Sequence, residues 1–231
     1  DYESPFIFSN FNGTQGDVEV LTHEAGHAFQ AYQSRWIDVP EVASPTYESC
    51  EIHSMSMEFI TWPWMDKFFG PDTNKFKFSH LSSAMTFMPY GVLIDHFQHE
   101  VYAHPEYTPA QRKAAFRTLE KQYLPHKDYT GNDFLDRGGY WFQQGHVFGS
   151  PFYYIDYTLA QICALQFFKR AQEKDPTMWS DYLNLCKVGG TQSFLGLVKT
   201  ANLKSPFEDG CVASVTSLVE KTLDAIPDSS L

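Results

Sequence analysis

Residues 14–33 read TQGDVEVLTHEAGHAFQAYQ, and inside them His23-Glu24-Ala25-Gly26-His27 forms an HExxH run. On an α-helix, positions i and i+4 share a face, so the two imidazoles stand one turn apart with the Glu24 carboxylate beside them. On a strand or in a loop the same residues would diverge, so the motif has meaning only if the segment is helical. The segment predicts a helix. Thr14 and Asp17 have the spacing of a capping box, and the run from Val18 to Tyr32 contains no proline and a single glycine, Gly26. At about 100° per residue, Val18, Leu21, Ala25, Ala28, Phe29 and Tyr32 gather on one stripe, with Val20, His23 and His27 opposite. That stripe predicts the packing face, leaving the imidazole face for chemistry. The bland reading is an amphipathic helix with two solvated histidines.

Two imidazoles and an adjacent carboxylate are the donor set of a zinc site with its own base: His23 and His27 bind the metal and Glu24 acts as general base. A catalytic zinc takes three protein ligands and keeps one position open, so the third must come from another segment. The next candidate is PTYESCEIHSMSMEFI, residues 45–60, with Ser44 as N-cap and Pro45 at the first helical position. Glu48, Glu51 and Glu58 fall on one stripe of it. Three carboxylates among Met, Phe and Ile are costly to bury without a cation nearby. Glu51 is the first choice for third ligand and Glu48 the second, while Glu58 is placed to orient a ligand histidine. Without the upstream motif, the same stripe would read as a solvated face.

Three stretches together resemble a known family: PFIFSNFNGTQGDVEVLTHEAGHAFQ (5–30), ESCEIHSMSMEF (48–59) and GHVFGSPFYYIDYTLAQ (145–161). They are similar to the oligoendopeptidase F branch of the thimet oligopeptidase family of zinc metallopeptidases, over most of the chain to about residue 170. The resemblance implies a mainly α, zincin-like catalytic domain holding one Zn2+ ion. It makes His23, His27 and Glu51 the metal ligands, Glu24 the general base, and His146, Tyr154 and Tyr157 the groups that contact the substrate carbonyl. It also implies internal cleavage of short peptides in a deep channel. In that family the signature lies past the middle of a longer polypeptide. Residues 1–231 are therefore expected to be the C-terminal part of a catalytic domain, partnered by the remaining N-terminal part of the same enzyme. Carboxypeptidase-like trimming is the competing activity, and a helical binding module or inactive fragment with a structural metal site is the competing class.

The third stretch supports its role from its own residues. Gly145, Gly149 and Pro151 mark a loop, and the segment after it turns helical, so Tyr154 and Tyr157 at i and i+3 share a face. A phenol or imidazole held there can donate a hydrogen bond to an oxyanion as it forms. With 13 Tyr and 20 Phe in the chain, such a cluster can equally be packing. Upstream, PFIFSNF predicts a short strand, able to pair with an extended peptide or simply to fill a core. His96, His99 and Glu100 stand in the order HxxHE, which matches neither zinc motif. His53 points away from Glu51 on a helix, and His126 has no partner pattern.

A net charge of −11 from 28 acidic and 17 basic residues argues against nucleic-acid and anionic-membrane partners. No apolar run approaches a bilayer span, and the four cysteines show no framework spacing, which predicts reduced thiols and a cytoplasmic setting. The 43 % hydrophobic content supplies a sizeable core. Helices are expected near 15–35, 45–69, 74–103, 109–123, 131–146, 152–173, 176–187, 191–201 and 207–225, with breaks at Gly and Pro.

Overall fold

The computed structural model describes residues 4–231, and among them there are helices, turns and irregular segments but no strand. The expected strand at Pro5–Phe11 is absent. That segment is irregular, and Phe6 and Phe8 are each 85 % exposed, so no neighbouring backbone receives its hydrogen bonds and no core receives its rings. The rest bears out a mainly α architecture. Twelve α-helices of the described residues run in order: α1 (Gln15–Gln33), α2 (Pro40–Ala43), α3 (Tyr47–Ile60), α4 (Asp66–Phe69), α5 (Thr73–Ala103), α6 (Pro109–Tyr123), α7 (Asp133–Asp136), α8 (Gly145–Gly149), α9 (Tyr154–Gln172), α10 (Met178–Lys187), α11 (Phe194–Thr200) and α12 (Cys211–Asp224).

The capping box at Thr14 forms as its spacing predicts, with the Asp17 carboxylate accepting from the backbone N–H of Gly13 and of Thr14 at 2.6 and 3.2 Å. The next boundary differs. Thr46, not Ser44, is the N-cap of α3, and Ser44 instead closes the short α2. The single helix expected over 45–69 ends at Ile60, continues as a 3-10 turn through Trp62–Trp64, where Pro63 removes a backbone donor, and resumes as α4. The helix expected over 131–146 is instead two short pieces, α7 and a 3-10 turn at Tyr140–Gln143. Gly138 separates them with φ +88, and a Cβ there would meet the Lys113 carbonyl oxygen at 1.9 Å.

The chain divides into two compact units. The first comprises residues up to 84 together with 159–231. Its core joins Ile52 and Met57 of α3, Ala160, Cys163 and Phe167 of α9, Tyr182, Leu185 and Cys186 of α10, Leu197 and Val198 of α11, and Ala201 just after it. The Tyr182 hydroxyl, fully buried, donates to the carbonyl of His53 at 2.8 Å and so pins α10 to α3. The second unit comprises residues 85–158. Its core joins Leu93, Ile94 and Phe97 of α5 to Phe116 and Leu119 of α6, Leu124 and Trp141. Beside it, buried Glu120 takes hydrogen bonds from Arg117 and the Tyr129 hydroxyl, so the charge is compensated on both sides.

Candidate metal centre

Where α1 meets α3, the packing differs from the apolar stripe read in the sequence. The buried residues of α1 are Thr22, Gly26 and Gln30, one per turn, whereas Val18, Leu21, Ala25, Ala28 and Phe29 are only partly covered and Tyr32 is exposed. A Cβ on Gly26 would lie 2.6 Å from both the His53 carbonyl oxygen and the Ser54 Cα. The two helices thus pack backbone against backbone on the seam that Gly26 leaves open. Small residues on a seam permit such an approach, and a wider apolar ridge would prevent it.

This approach brings three donors together. Glu51 Oε2 lies 3.1 Å from His23 Nε2 and 3.2 Å from His27 Nε2. Ligand atoms each about 2.0–2.1 Å from a tetrahedral zinc would stand about 3.3 Å apart, so the spacing fits a zinc ion. Among the described residues, these three form the group whose potential ligand atoms all lie within 4.8 Å of one another. The imidazoles are partly open to solvent and Glu51 is nearly closed off. Ser54 Oγ donates to Glu51 Oε2 at 2.9 Å, which aims the carboxylate. Glu48 is elsewhere: it is exposed in the first turn of α3, where a hydrogen bond from the Thr46 side chain holds its carboxyl below the usual range.

Glu58 meets the imidazole of His23 from behind, Oε1 to Nδ1 at 2.7 Å, and its other oxygen lies 2.8 Å from His80 Nε2. Burial opposes charge on His23, but the hydrogen bonds to Glu51 and Glu58 outweigh it and raise the imidazole from 6.5 to about 10. Burial likewise opposes ionisation of Glu58, and its hydrogen bonds to His23 and His80 win, holding the carboxyl below its ordinary value. Glu24 follows His23 on α1 and is partly buried. His53 is fully buried, and that burial depresses it to about 4.

The second unit holds the other predicted group. His146, in α8, has its ring 5.1 Å from that of Tyr154 and 5.4 Å from that of Tyr157, so the three come together among themselves. Gln144 Nε2 lies 2.8 Å from His146 Nδ1, and His146 Nε2 lies 3.3 Å from the Tyr157 hydroxyl. Tyr154 has its ring edge-on to Phe87 and Tyr90, and burial pushes its phenol up to about 12. His96 and His99 serve local roles, on the Tyr123 hydroxyl and on Asp95. Neither His80, Trp62 nor the seam role of Gly26 was visible in the sequence. Nothing in the FSHLSS context of His80 distinguishes it from a surface histidine.

The profile of peptidase family M3 matches residues 1–216. Among solved structures, one carrying the name oligoendopeptidase F is 60 % identical with a TM-score of 0.95, covering all of this chain and 41 % of the other. PZ peptidase A with an inhibitor gives 59 %, a TM-score of 0.95 and the same coverage. A Bacillus anthracis strain Ames protein, also carrying the name oligoendopeptidase F, gives 58 % and 0.86, covering all of this chain and 38 % of its own length. This chain therefore spans about two fifths of the structures it resembles. No curated protein matches it.

Proposed function

The chain belongs to peptidase family M3, and from that premise we propose that it carries the metal centre of a zinc-dependent oligoendopeptidase that hydrolyses internal bonds of short peptides. The convergence of His23 Nε2, His27 Nε2 and Glu51 Oε2 carries this reading. An isolated histidine pair has no need of a nearly buried acid from another helix at such a distance, whereas a divalent cation compensates that acid. Zinc held by these three would supply Lewis acidity, making water more acidic and a peptide carbonyl more electrophilic.

The chain's own groups do the rest. Glu24 takes a proton from the attacking water and returns one to the leaving amine. Glu58 keeps the His23 ring turned so that Nε2 faces the other two ligands. His146 and Tyr157 donate hydrogen bonds to the oxyanion, a role that rests on the family resemblance of GHVFGSPFYYIDY. The hydrogen bond between them favours Tyr157 over Tyr154, whose ring packs edge-on against Phe87 and Tyr90. The partners of this reading are short peptides and the remainder of the same polypeptide. A cytoplasmic setting, read from composition and cysteine spacing, belongs to the same proposal. No helix of the described residues is long and apolar enough to cross a membrane.

Glu24→Gln tests the chemistry. In the full-length protein it is expected to retain zinc while hydrolysis of a quenched peptide falls by about 10²–10⁴-fold. Unchanged hydrolysis removes Glu24 as the base. A peptide blocked at both ends separates internal cleavage from carboxy-terminal trimming, because trimming requires a free terminus.

A further inference from the structure

Behind His23, the hydrogen bonds continue further than a single carboxylate. Trp62, at the start of the turn after α3, has its indole Nε1 3.0 Å from His80 Nδ1. His80, on α5, has Nε2 2.8 Å from Glu58 Oε2, and Glu58 Oε1 lies 2.7 Å from His23 Nδ1. The indole and the imidazole of His80 are both buried. The His80 ring is stacked on Phe76, 5.4 Å between centroids at 10°, and packed at a tilt against Phe59 at 4.8 Å.

The chemistry of the end groups gives this chain of bonds one direction. An indole nitrogen only donates, so His80 Nδ1 must be the acceptor and the proton of the neutral ring must sit on Nε2. An ionised carboxylate only accepts, so Glu58 takes that proton's hydrogen bond on one oxygen and the His23 Nδ1–H on the other. His23 is left with its Nε2 lone pair on the side shared with His27 and Glu51. The tautomer that can bind a cation is thus tied to Trp62 through the buried His80 and the partly buried Glu58, each held by hydrogen bonds on both sides.

We propose that His80, oriented by Trp62, is a positioning residue that acts through Glu58 to hold His23 in its metal-binding tautomer. The proposal rests on the reading of His23, His27 and Glu51 as ligands. Partners one layer behind a metal ligand, as Glu58 is here, typically affect affinity by about 10–100-fold, because they fix ring orientation and raise ligand basicity, and His80, one layer further back, is expected at the lower end of that range.

The test measures zinc dissociation constants by chelator competition, and the visible absorption of the cobalt-substituted site, on full-length protein. The set is the parent, His23→Ala, His80→Phe, His80→Gln and Trp62→Phe, each with a metal-free melting curve. His80→Phe keeps the aromatic packing and removes the N–H. His80→Gln restores an N–H at nearly the same reach from the backbone. The expected result is zinc binding weakened about tenfold in His80→Phe, with a changed cobalt spectrum, and near-parent values in His80→Gln. Trp62→Phe should weaken binding by a smaller factor. A structural role alone would lower the metal-free melting temperature without moving the cobalt spectrum. If His80→Phe does not fold, Trp62→Phe against parent decides. Parent-like affinity and spectrum in every folded variant of His80 and Trp62, while His23→Ala loses the metal, overturn the inference alone. A parent that takes up no zinc overturns the ligand reading and the inference with it.

Discussion

Two histidines, one in each unit, show how a partner's charge sets what an imidazole can do. His23 has carboxylates on both ring nitrogens, Glu58 at 2.7 Å and Glu51 at 3.1 Å. His146 instead meets two neutral groups, the Gln144 amide at 2.8 Å and the Tyr157 hydroxyl at 3.3 Å. Carboxylates stabilise positive charge wherever it sits, so the first setting suits a proton or a metal ion equally. An amide and a phenol stabilise a direction instead. The Tyr90 hydroxyl donates to Gln144 Oε1 at 3.1 Å, which turns the amide nitrogen toward His146 Nδ1 and leaves Nε2 to carry the hydrogen. The first arrangement makes a ligand, and the second makes a donor of one hydrogen bond.

Removing the charge from the first setting should have the largest effect. Glu51→Gln keeps the shape and removes the anion, and zinc content measured by atomic absorption is expected to fall to background, with hydrolysis following it. In the second setting, Tyr157→Phe is expected to lower kcat by about 10²–10³-fold, equal to about 2.7–4 kcal/mol, with zinc content unchanged. The same substitution at Tyr154 should matter far less. Equal losses at both positions would erase the distinction drawn between them.

The seam beneath the first setting can be broken without touching a donor. Gly26→Ala places a methyl against the backbone of His53 and Ser54 and is expected to destabilise the protein by about 3 kcal/mol, read from urea unfolding, while weakening zinc binding. Proton linkage sharpens the comparison further. In the metal-free form, the His23 imidazole is raised to about 10. The stabilisation this brings is complete below about 6.5, where the unfolded chain is charged too, and is lost as pH rises through 10. A cation must displace that proton at neutral pH, so zinc affinity should strengthen as pH rises toward 10. Calorimetry in buffers of different ionisation enthalpy should detect proton release on loading. The smallest effect is expected at Gln144→Leu, which frees the His146 ring and should reduce kcat by about tenfold with no change in zinc affinity.

The HExxH helix and its cap were legible because their information is local. Thr14 to Asp17 and His23 to His27 are fixed by covalent spacing once the segment is helical. The turns were harder to read for the same reason. Ser44 and Thr46 are both good caps two residues apart, and the contacts of Gly189 and Gly190 with the carbonyl oxygens of Ala43 and Ser44 favour the short α2 over an earlier start of α3. The strand expected at Pro5–Phe11 had the residues of a strand but no neighbouring edge, and a strand is defined by its partner.

By itself the sequence determined that two imidazoles share one turn, that a carboxylate lies beside them, and that acids recur at helical spacing on the next segment. It ranked Glu51 ahead of Glu48 as ligand and set Glu58 to orient a histidine, but with all three on the same stripe of α3 periodicity alone could not show which of them meets the imidazoles. Tertiary structure made that choice through the closeness that Gly26 permits. Glu51 faces the imidazoles across the seam, Glu48 stays in solvent at the helix start, and Glu58 reaches His23 from behind together with a histidine 22 residues further on. Helical periodicity sets the direction of a side chain relative to its own axis. Only the distance between two axes decides which directions meet.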